Sequence, residues 1–378
     1  MKSISIIVPI YYGEKYIPKI IQQIEDCKSR LNEEDYLELL FVNDAPDAPL
    51  SQDLKSDAVH LTVINTDKNI GIHGARVKGL KKCHGEYVLF LDQDDRIYPE
   101  YFYSQLLSIE ENDAVICKAI HAGEEYYSGN QAFQNVISKE FVLSHWNQII
   151  SPGQVLIRKC AIPDVWMENI MEYNGADDWL LWLCMLAGGC RFSLNENVLY
   201  EHVSNGANTS GDVVGMAQSE HEVIRIVRNK KLFQEEDLQL LMEGFFLRNL
   251  VRVREMRALK KKLDFFDKWM RLREQSVTYS EYLSSLGIQS VVIYGCGIVG
   301  QHLLSELKPS ICVKGFIDRN GRDLEAEIPI YTWKDKWPET DGIIITLIEG
   351  EENVEKDIRE RTDKRVLVFK KWIMKTEL

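Results

Sequence analysis

The feature that most constrains this chain is an alternation near its start, in which short apolar runs are each closed by a small polar cluster and separated by helical periodicity. The runs are Ile4 to Ile10, Leu37 to Val42, Leu61 to Ile64 and Tyr87 to Leu91. Each has the length of a buried strand and is too short for a helix. Between the first two, Ile17, Ile20, Ile21, Ile24 and Cys27 recur at helical spacing, with Pro18 in the first turn where proline is tolerated. Such alternation predicts an α/β fold with a mainly parallel sheet and helices on both faces. The strands are followed by Tyr11-Tyr12-Gly13, Asn43-Asp44-Ala45, Asn65-Thr66-Asp67 and Asp92-Gln93-Asp94-Asp95. In open parallel sheets the carboxyl ends of the strands line the ligand crevice, so these clusters should converge along one edge.

Further along, Ser151-Pro152-Gly153-Gln154 leads into a strand-like Val155 to Arg158, and Asp177-Asp178 opens an apolar helix ending near Gly188-Gly189. From Gln218 to Gln275 the pattern is helical and charged, and a new α/β pattern begins at Ile288. With 378 residues the chain exceeds one ordinary domain. The expected division is a catalytic α/β segment over 1–215, a helical connector over 216–284 and a second, Rossmann-like α/β segment over 285–378. The formal net charge of −13 argues against broad nucleic-acid binding. It also means that a phosphorylated substrate needs local cations or a metal. No run approaches the ~18 apolar residues of a membrane span. The first residues read as a strand rather than a leader, and the eight cysteines show no C-x-x-C pairing. A cytoplasmic location is therefore expected.

Asp92, Asp94 and Asp95 crowd three carboxylates at a strand end, where they repel unless a cation is present. In extended chain Asp92 and Asp94 point the same way and can jointly serve one hard divalent ion. Such an ion, Mg²⁺ or Mn²⁺, would stabilise a departing diphosphate. An isolated D-x-D-D is more often a solvated acidic turn, so the surrounding residues decide the reading.

Those residues carry a resemblance. Ser5 to Tyr12, Phe41-Val42-Asn43-Asp44, Asn69-Ile70-Gly71, Ala75-Arg76, Gly79-Leu80, Gly85 to Asp95 and Gly175 to Trp179 come in the order and spacing of family 2 glycosyltransferases of the GT-A fold. The similarity spans about residues 3–210. It implies that Asp44 meets the nucleobase, that the backbone from Pro9 to Tyr11 cradles base and ribose, and that Arg76 lies near the nucleotide. Asp92 and Asp94 resemble the family's metal-binding pair, with Asp92 also near ribose and Asp94 the direct ligand. Asp178 stands where the family has its catalytic base, and His202 where related sequences place a histidine near metal or diphosphate. Two departures accompany the match: Ala45-Pro46 replaces the usual glycine-serine turn, and Cys184 stands where an arginine often follows the catalytic carboxylate.

Each residue has an ordinary alternative. Asp178 at a helix start reads as an N-cap, held ionised and weakly basic by the helix dipole. His202 alone reads as an ordinary histidine, and Asp44 as a turn residue. Of Trp146, Trp179 and Trp182, only Trp179 is assigned to an acceptor site; Trp182 in an apolar helix reads as core.

In the C-terminal segment, Val291 to Tyr294 runs into Gly295-Cys296-Gly297-Ile298-Val299-Gly300, then a helical pattern, then Val313 to Ile317 ending at Asp318. This is the order of a dinucleotide fingerprint, although the glycines serve a tight turn equally well.

The combined reading is a metal-dependent inverting glycosyltransferase. The resemblance implies transfer from a UDP-sugar to a hydroxyl of a glycan or lipid-linked glycan, in cell-surface polysaccharide or glycoconjugate synthesis. A nucleotidyltransferase releasing pyrophosphate and a non-enzymatic nucleotide-sugar sensor are the rivals. The basic run Phe246 to Arg273 reads as a packed connector or as a peripheral contact with the inner membrane face. Nothing in the sequence fixes the oligomeric state.

Overall fold

The computed structural model describes residues 1–127, 130–145, 147–203, 211–319, 321 and 326–377. The chain forms two compact units, Met1–Asn249 and Leu250–Leu378. The first holds strands β1 (Ser3–Ile10), β2 (Tyr36–Asn43), β3 (His60–Asn65), β4 (Tyr87–Phe90), β5 (Arg96–Ile97), β6 (Ala114–His121), β7 (Glu124–Glu125), β8 (Val155–Arg158) and β9 (Phe192–His202). Its helices are α1 (Ile17–Lys28), α2 (Gly71–Leu80), α3 (Tyr101–Ile109), α4 (Asn130–Asn135), α5 (Lys139–Ser144), α6 (Asp164–Glu168), α7 (Asp177–Ala187) and α8 (Val213–Asn229).

The strands join in the order β3-β2-β1-β4-β8-β6-β9-β5, with β7 beside β6. β1, β2, β3 and β4 are mutually parallel, as the alternation predicts. Beyond them β8 runs antiparallel to β4 and β6, while β6 and β9 are parallel. The central strands divide their side chains by strict period 2. Ile7, Leu40, Val42, Val88 and Phe90 join the core containing α2, α7 and α8 residues. Ile4, Ile6, Val8, Leu39, Phe41, Tyr87 and Leu89 join the core containing those of α1 and α3. Both faces are covered, which is why these strands read as continuous apolar runs.

The first unit continues past residue 215 because α8 is built into it. Val223, Ile224, Ile226 and Val227 are core residues. The Ser219 hydroxyl accepts from the Ala176 N–H at 3.0 Å, and Glu222 accepts from the N–H groups of Glu172 and Tyr173 at 2.9 and 3.1 Å. The helical segment expected as a connector is thus shared between the units, and the long α9 (Glu235–Glu274) runs across the division.

The second unit adds α10 (Tyr279–Ser285), β10 (Ser290–Tyr294), α11 (Ile298–Leu307), β11 (Cys312–Ile317), β12 (Ile330–Tyr331), β13 (Gly342–Ile345), α12 (Glu351–Arg361), β14 (Arg365–Val368) and α13 (Phe369–Lys375). Its five strands are all parallel, in the order β12-β11-β10-β13-β14. The glycine loop after β10 is closed from within. Gly295 has φ +102, and a Cβ at Gly300 would lie 2.0 Å from the Gly295 carbonyl oxygen. Asp318 accepts from the Cys296 N–H at 2.9 Å, so the acid of the fingerprint is engaged by the loop itself. Among the described residues no helix is long and apolar enough to cross a membrane.

Candidate active site

The carboxyl ends of β1, β2 and β4 open into a cleft of about 840 Å³ in the first unit. Pro9, Tyr11, Asp44, Arg76, Asp92, Asp94, Asp178 and His202 all line it, so three of the four strand-end clusters converge with the start of α7 and the end of β9, while Asn65-Thr66-Asp67 after β3 is not in the lining.

Arg76 is the electrostatic centre. It projects from the middle of α2, is only 3% exposed, and donates to Asp92 at 2.5 Å and to Asp177 at 2.7 Å. The two carboxylates hold it firmly cationic against the cost of burial. Its expected place near the nucleotide is therefore that of a clamp between two carboxylates. Asp92 also accepts from the Ser151 hydroxyl at 3.1 Å, so both of its oxygens are engaged. Burial raises its pKa, and Arg76 opposes the rise.

The extended alternation expected to align Asp92 with Asp94 is absent. β4 ends at Phe90, and the Asp95 N–H donates to the Asp92 carbonyl at 3.2 Å, turning the chain through Gln93 and Asp94. It is the turn that leaves Asp92, Gln93 and Asp94 lining the cleft while Asp95 turns away. Asp95 is 1% exposed, takes the Tyr200 hydroxyl, and accepts from the Val203 N–H at 2.9 Å. It also pairs with His202 Nδ1 at 3.1 Å, and this contact raises the histidine's pKa. The His202 ring stacks on His121 with centroids 5.3 Å apart.

Asp178 is the second residue of α7 rather than its cap; the cap position belongs to Ala176 and carries no side-chain bond. One Asp178 oxygen accepts from Asn147 at 2.9 Å and the other from the Trp179 N–H at 2.7 Å. Burial first, and Asp177 second, push its pKa to about 7. The helix end was expected to leave it weakly basic, but desolvation outweighs the dipole at this depth.

Asp44, also in the cleft lining, accepts from the Ile70 N–H at 2.8 Å and from the Thr66 hydroxyl at 3.3 Å, while desolvation raises its pKa. The Gln93 side chain grips the Tyr11 backbone, accepting from its N–H at 3.0 Å and donating to its carbonyl at 3.3 Å. Gly13 is required beside this grip, since a Cβ there would meet Gln93 Oε1 at 1.9 Å. Tyr12 carries a positive φ of 46, a conformation costly for a tyrosine.

Ser151, Gln93, Asn147, Lys15, His121 and Asp177 have places in or against the cleft that sequence reading left unassigned. The serine lies in a segment whose turn chemistry was evident, but its partner Asp92 is 59 residues away. Trp179, expected near an acceptor, is 3% exposed and belongs to the core, as does Trp182. Trp146 lies outside the described residues.

Metal fit follows from this donor set. Among the described residues no three His, Cys, Asp or Glu side chains are grouped to hold an ion. Asp94 and His202 line the cleft beside the already engaged Asp92. One or two carboxylates completed by substrate phosphates and water is the usual way Mg²⁺ is held, so these residues fit a metal that arrives with a diphosphate. The cleft also sets five carboxylates, Asp44, Asp92, Asp94, Asp177 and Asp178, against the cations Lys15 and Arg76. A diphosphate entering there requires further positive charge.

Residues 5–170 match the family model "Glycosyl transferase family 2". The chain is 31% identical over 134 residues to glycosyltransferase GlyA of Streptococcus pneumoniae, covering 34% of this chain and 18% of that protein. It is 28% identical over 225 residues to an uncharacterized glycosyltransferase of Haemophilus influenzae, covering 56% of this chain and 81% of that one. For two further curated relatives it spans only 33% and 34% of their length. Among solved structures it is similar to S. aureus TarS 1–349 in complex with UDP-GlcNAc, with 21% identity, a TM-score of 0.48, and coverage of 65% of this chain and 71% of that one. The cleft's polar ends of β1, β2 and β4 lie inside the stretch that matches the glycosyl transferase family 2 model.

Proposed function

We propose that the first unit transfers a sugar, with inversion, from a UDP-sugar to a hydroxyl of a glycan or lipid-linked glycan acceptor, with Mg²⁺ or Mn²⁺ held by Asp94, Asp92 and His202. The observation that carries this reading is the convergence, in one cleft, of a carboxyl poised near neutrality, Asp178, and the Asp92–Asp94 turn. Asp178 takes the acceptor's hydroxyl proton; the freed oxygen attacks the anomeric carbon as the bond to the diphosphate breaks on the opposite face. A carboxyl with a pKa of about 7 is a competent base at neutral pH, and Asn147 and the Trp179 N–H fix its orientation. The metal, when bound, supplies positive charge to the leaving diphosphate. Asp44 and the Tyr11 backbone held by Gln93 form the nucleoside wall, and the Arg76 clamp holds Asp92 in place beside the ribose.

The resemblance and the bacterial relatives support a role in cell-surface polysaccharide or glycoconjugate synthesis, and the basic α9 supports peripheral contact with a membrane that carries the acceptor lipid. The testing experiment is a panel of nucleotide sugars with and without Mn²⁺, following nucleoside diphosphate release. Pyrophosphate release would instead identify a nucleotidyltransferase, and donor binding without turnover a sensor.

A further inference from the structure

The second unit presents an apolar seam that its own core does not use. On α9, Phe265, Trp269 and Leu272 are buried in the core of this unit. A different face carries Met256, Leu259, Leu263 and Met270, which are 57%, 59%, 61% and 53% exposed. Half-buried Phe266 completes this row, its ring stacked on Trp269 at 6.1 Å. The spacing, 256, 259, 263, 266 and 270, alternates three and four residues, as in the a and d positions of a heptad. A solvated connector has no need of such a row, and four large apolar side chains more than half exposed along one seam mark an interface.

The flanking charges say what covers it. With Met256, Leu263 and Met270 at a, the g positions are Glu255, Lys262 and Trp269, and the e positions are Lys260, Asp267 and Glu274. In a parallel pair of identical helices each g residue faces the e residue five positions later on the other copy. Glu255 then meets Lys260, and Lys262 meets Asp267, each twice by symmetry. No antiparallel pairing keeps all five seam positions in layers: one sets Lys260 against Lys260 and Lys262 against Lys262 with Met270 opposite Arg252, and the other leaves Met256 opposite Arg273. Glu255, Lys260 and Lys262 have no ion-pair partner among the described residues. Asp267 has a single exposed pair with Arg271 at 3.0 Å, which is weak and exchangeable.

We propose that residues 256–270 of α9 form a parallel, in-register two-stranded coiled coil with a second copy of this chain. The seam layers are Met256, Leu259, Leu263, Phe266 and Met270, each against its own counterpart, and the g and e charges set the direction.

The test uses the full chain, with light scattering across a concentration series. Twice the mass of one chain is expected, falling to the mass of one chain in Leu259→Glu/Leu263→Glu. Both side chains are exposed in a single chain, so that variant keeps the wild-type fold by circular dichroism. Lys262→Asp should weaken dimerisation by about tenfold or less, and adding Asp267→Lys should restore it. In a Cys160→Ser/Cys312→Ser background, Leu259→Cys should oxidise to a covalent dimer faster than Asp264→Cys, which points off the seam. A one-chain mass at every concentration, a dimer that survives Leu259→Glu/Leu263→Glu, or failure of the charge swap overturns the proposal. So does a monomer that binds phosphatidylglycerol vesicles through this face in a salt-dependent way, which would make the seam a membrane contact.

Discussion

Asp178 shows how depth changes the chemistry of one carboxyl. Its pKa of about 7 lies above that of an aspartate in an unfolded chain, so the folded state binds the extra proton. The stability this proton contributes is complete below the unfolded value and is lost as the pH rises toward 7. Asp178→Asn removes a costly buried charge, keeps the Trp179 N–H bond and needs the Asn147 amide to turn over to keep the other, so its melting temperature relative to wild type should be higher at pH 8 than at pH 5. The same substitution should leave UDP binding intact and lower transfer by about a hundredfold or more. It should also abolish the limb of kcat/KM that rises through pH 7 in the wild type. Weaker donor binding at an unchanged rate would refute the base. Asp94→Ala should abolish transfer and remove the Mn²⁺ dependence of UDP binding, as measured by calorimetry with and without chelator. Gln93→Ala releases the Tyr11 backbone from two solvent-exposed bonds. Donor KM should rise about three- to tenfold with kcat little changed, since each such bond is worth about 0.5–1.5 kcal/mol.

At the scale of elements, the strands buried on both faces were legible because their apolar runs leave no other reading. β1, β2, β3 and β4 differ from the expected runs by a residue or two at their ends. β6 and β9 were not foreseen; β9 is interrupted by the polar run Asn195-Glu196-Asn197, and its partner β6 adjoins it only through a fold that brings residues 114 and 192 together. The cleft residues on strand ends were legible for the same reason as the strands. The partners Ser151 and Asn147 were not, since short polar side chains in loops acquire meaning only from what the tertiary fold places opposite them. The glycine loop after β10 yields a separate prediction. In Gly300→Ala the new Cβ meets backbone that has little room to move. The second unit should lose about 1–3 kcal/mol in urea unfolding, while donor turnover by the first unit is unchanged.

For the whole molecule, the Arg76 clamp has a consequence in time rather than in space. It ties Asp92 at the end of β4 to Asp177 at the start of α7, 85 residues further along the chain (177 − 92), through one buried guanidinium. The proposed base, Asp178, is the very next residue after Asp177, so the proposed nucleotide and acceptor sides of the cleft are spaced by the folded chain alone. No acceptor is needed to assemble them, and little ordering entropy remains to be spent on binding. A site finished in advance cannot wait for its proper substrate, and water in the acceptor's place meets the same base. The molecule should therefore leak: with donor alone, free sugar and nucleoside diphosphate should form slowly, in step with the Asp178 ionisation, and the leak should fall silent as the true acceptor saturates the cleft.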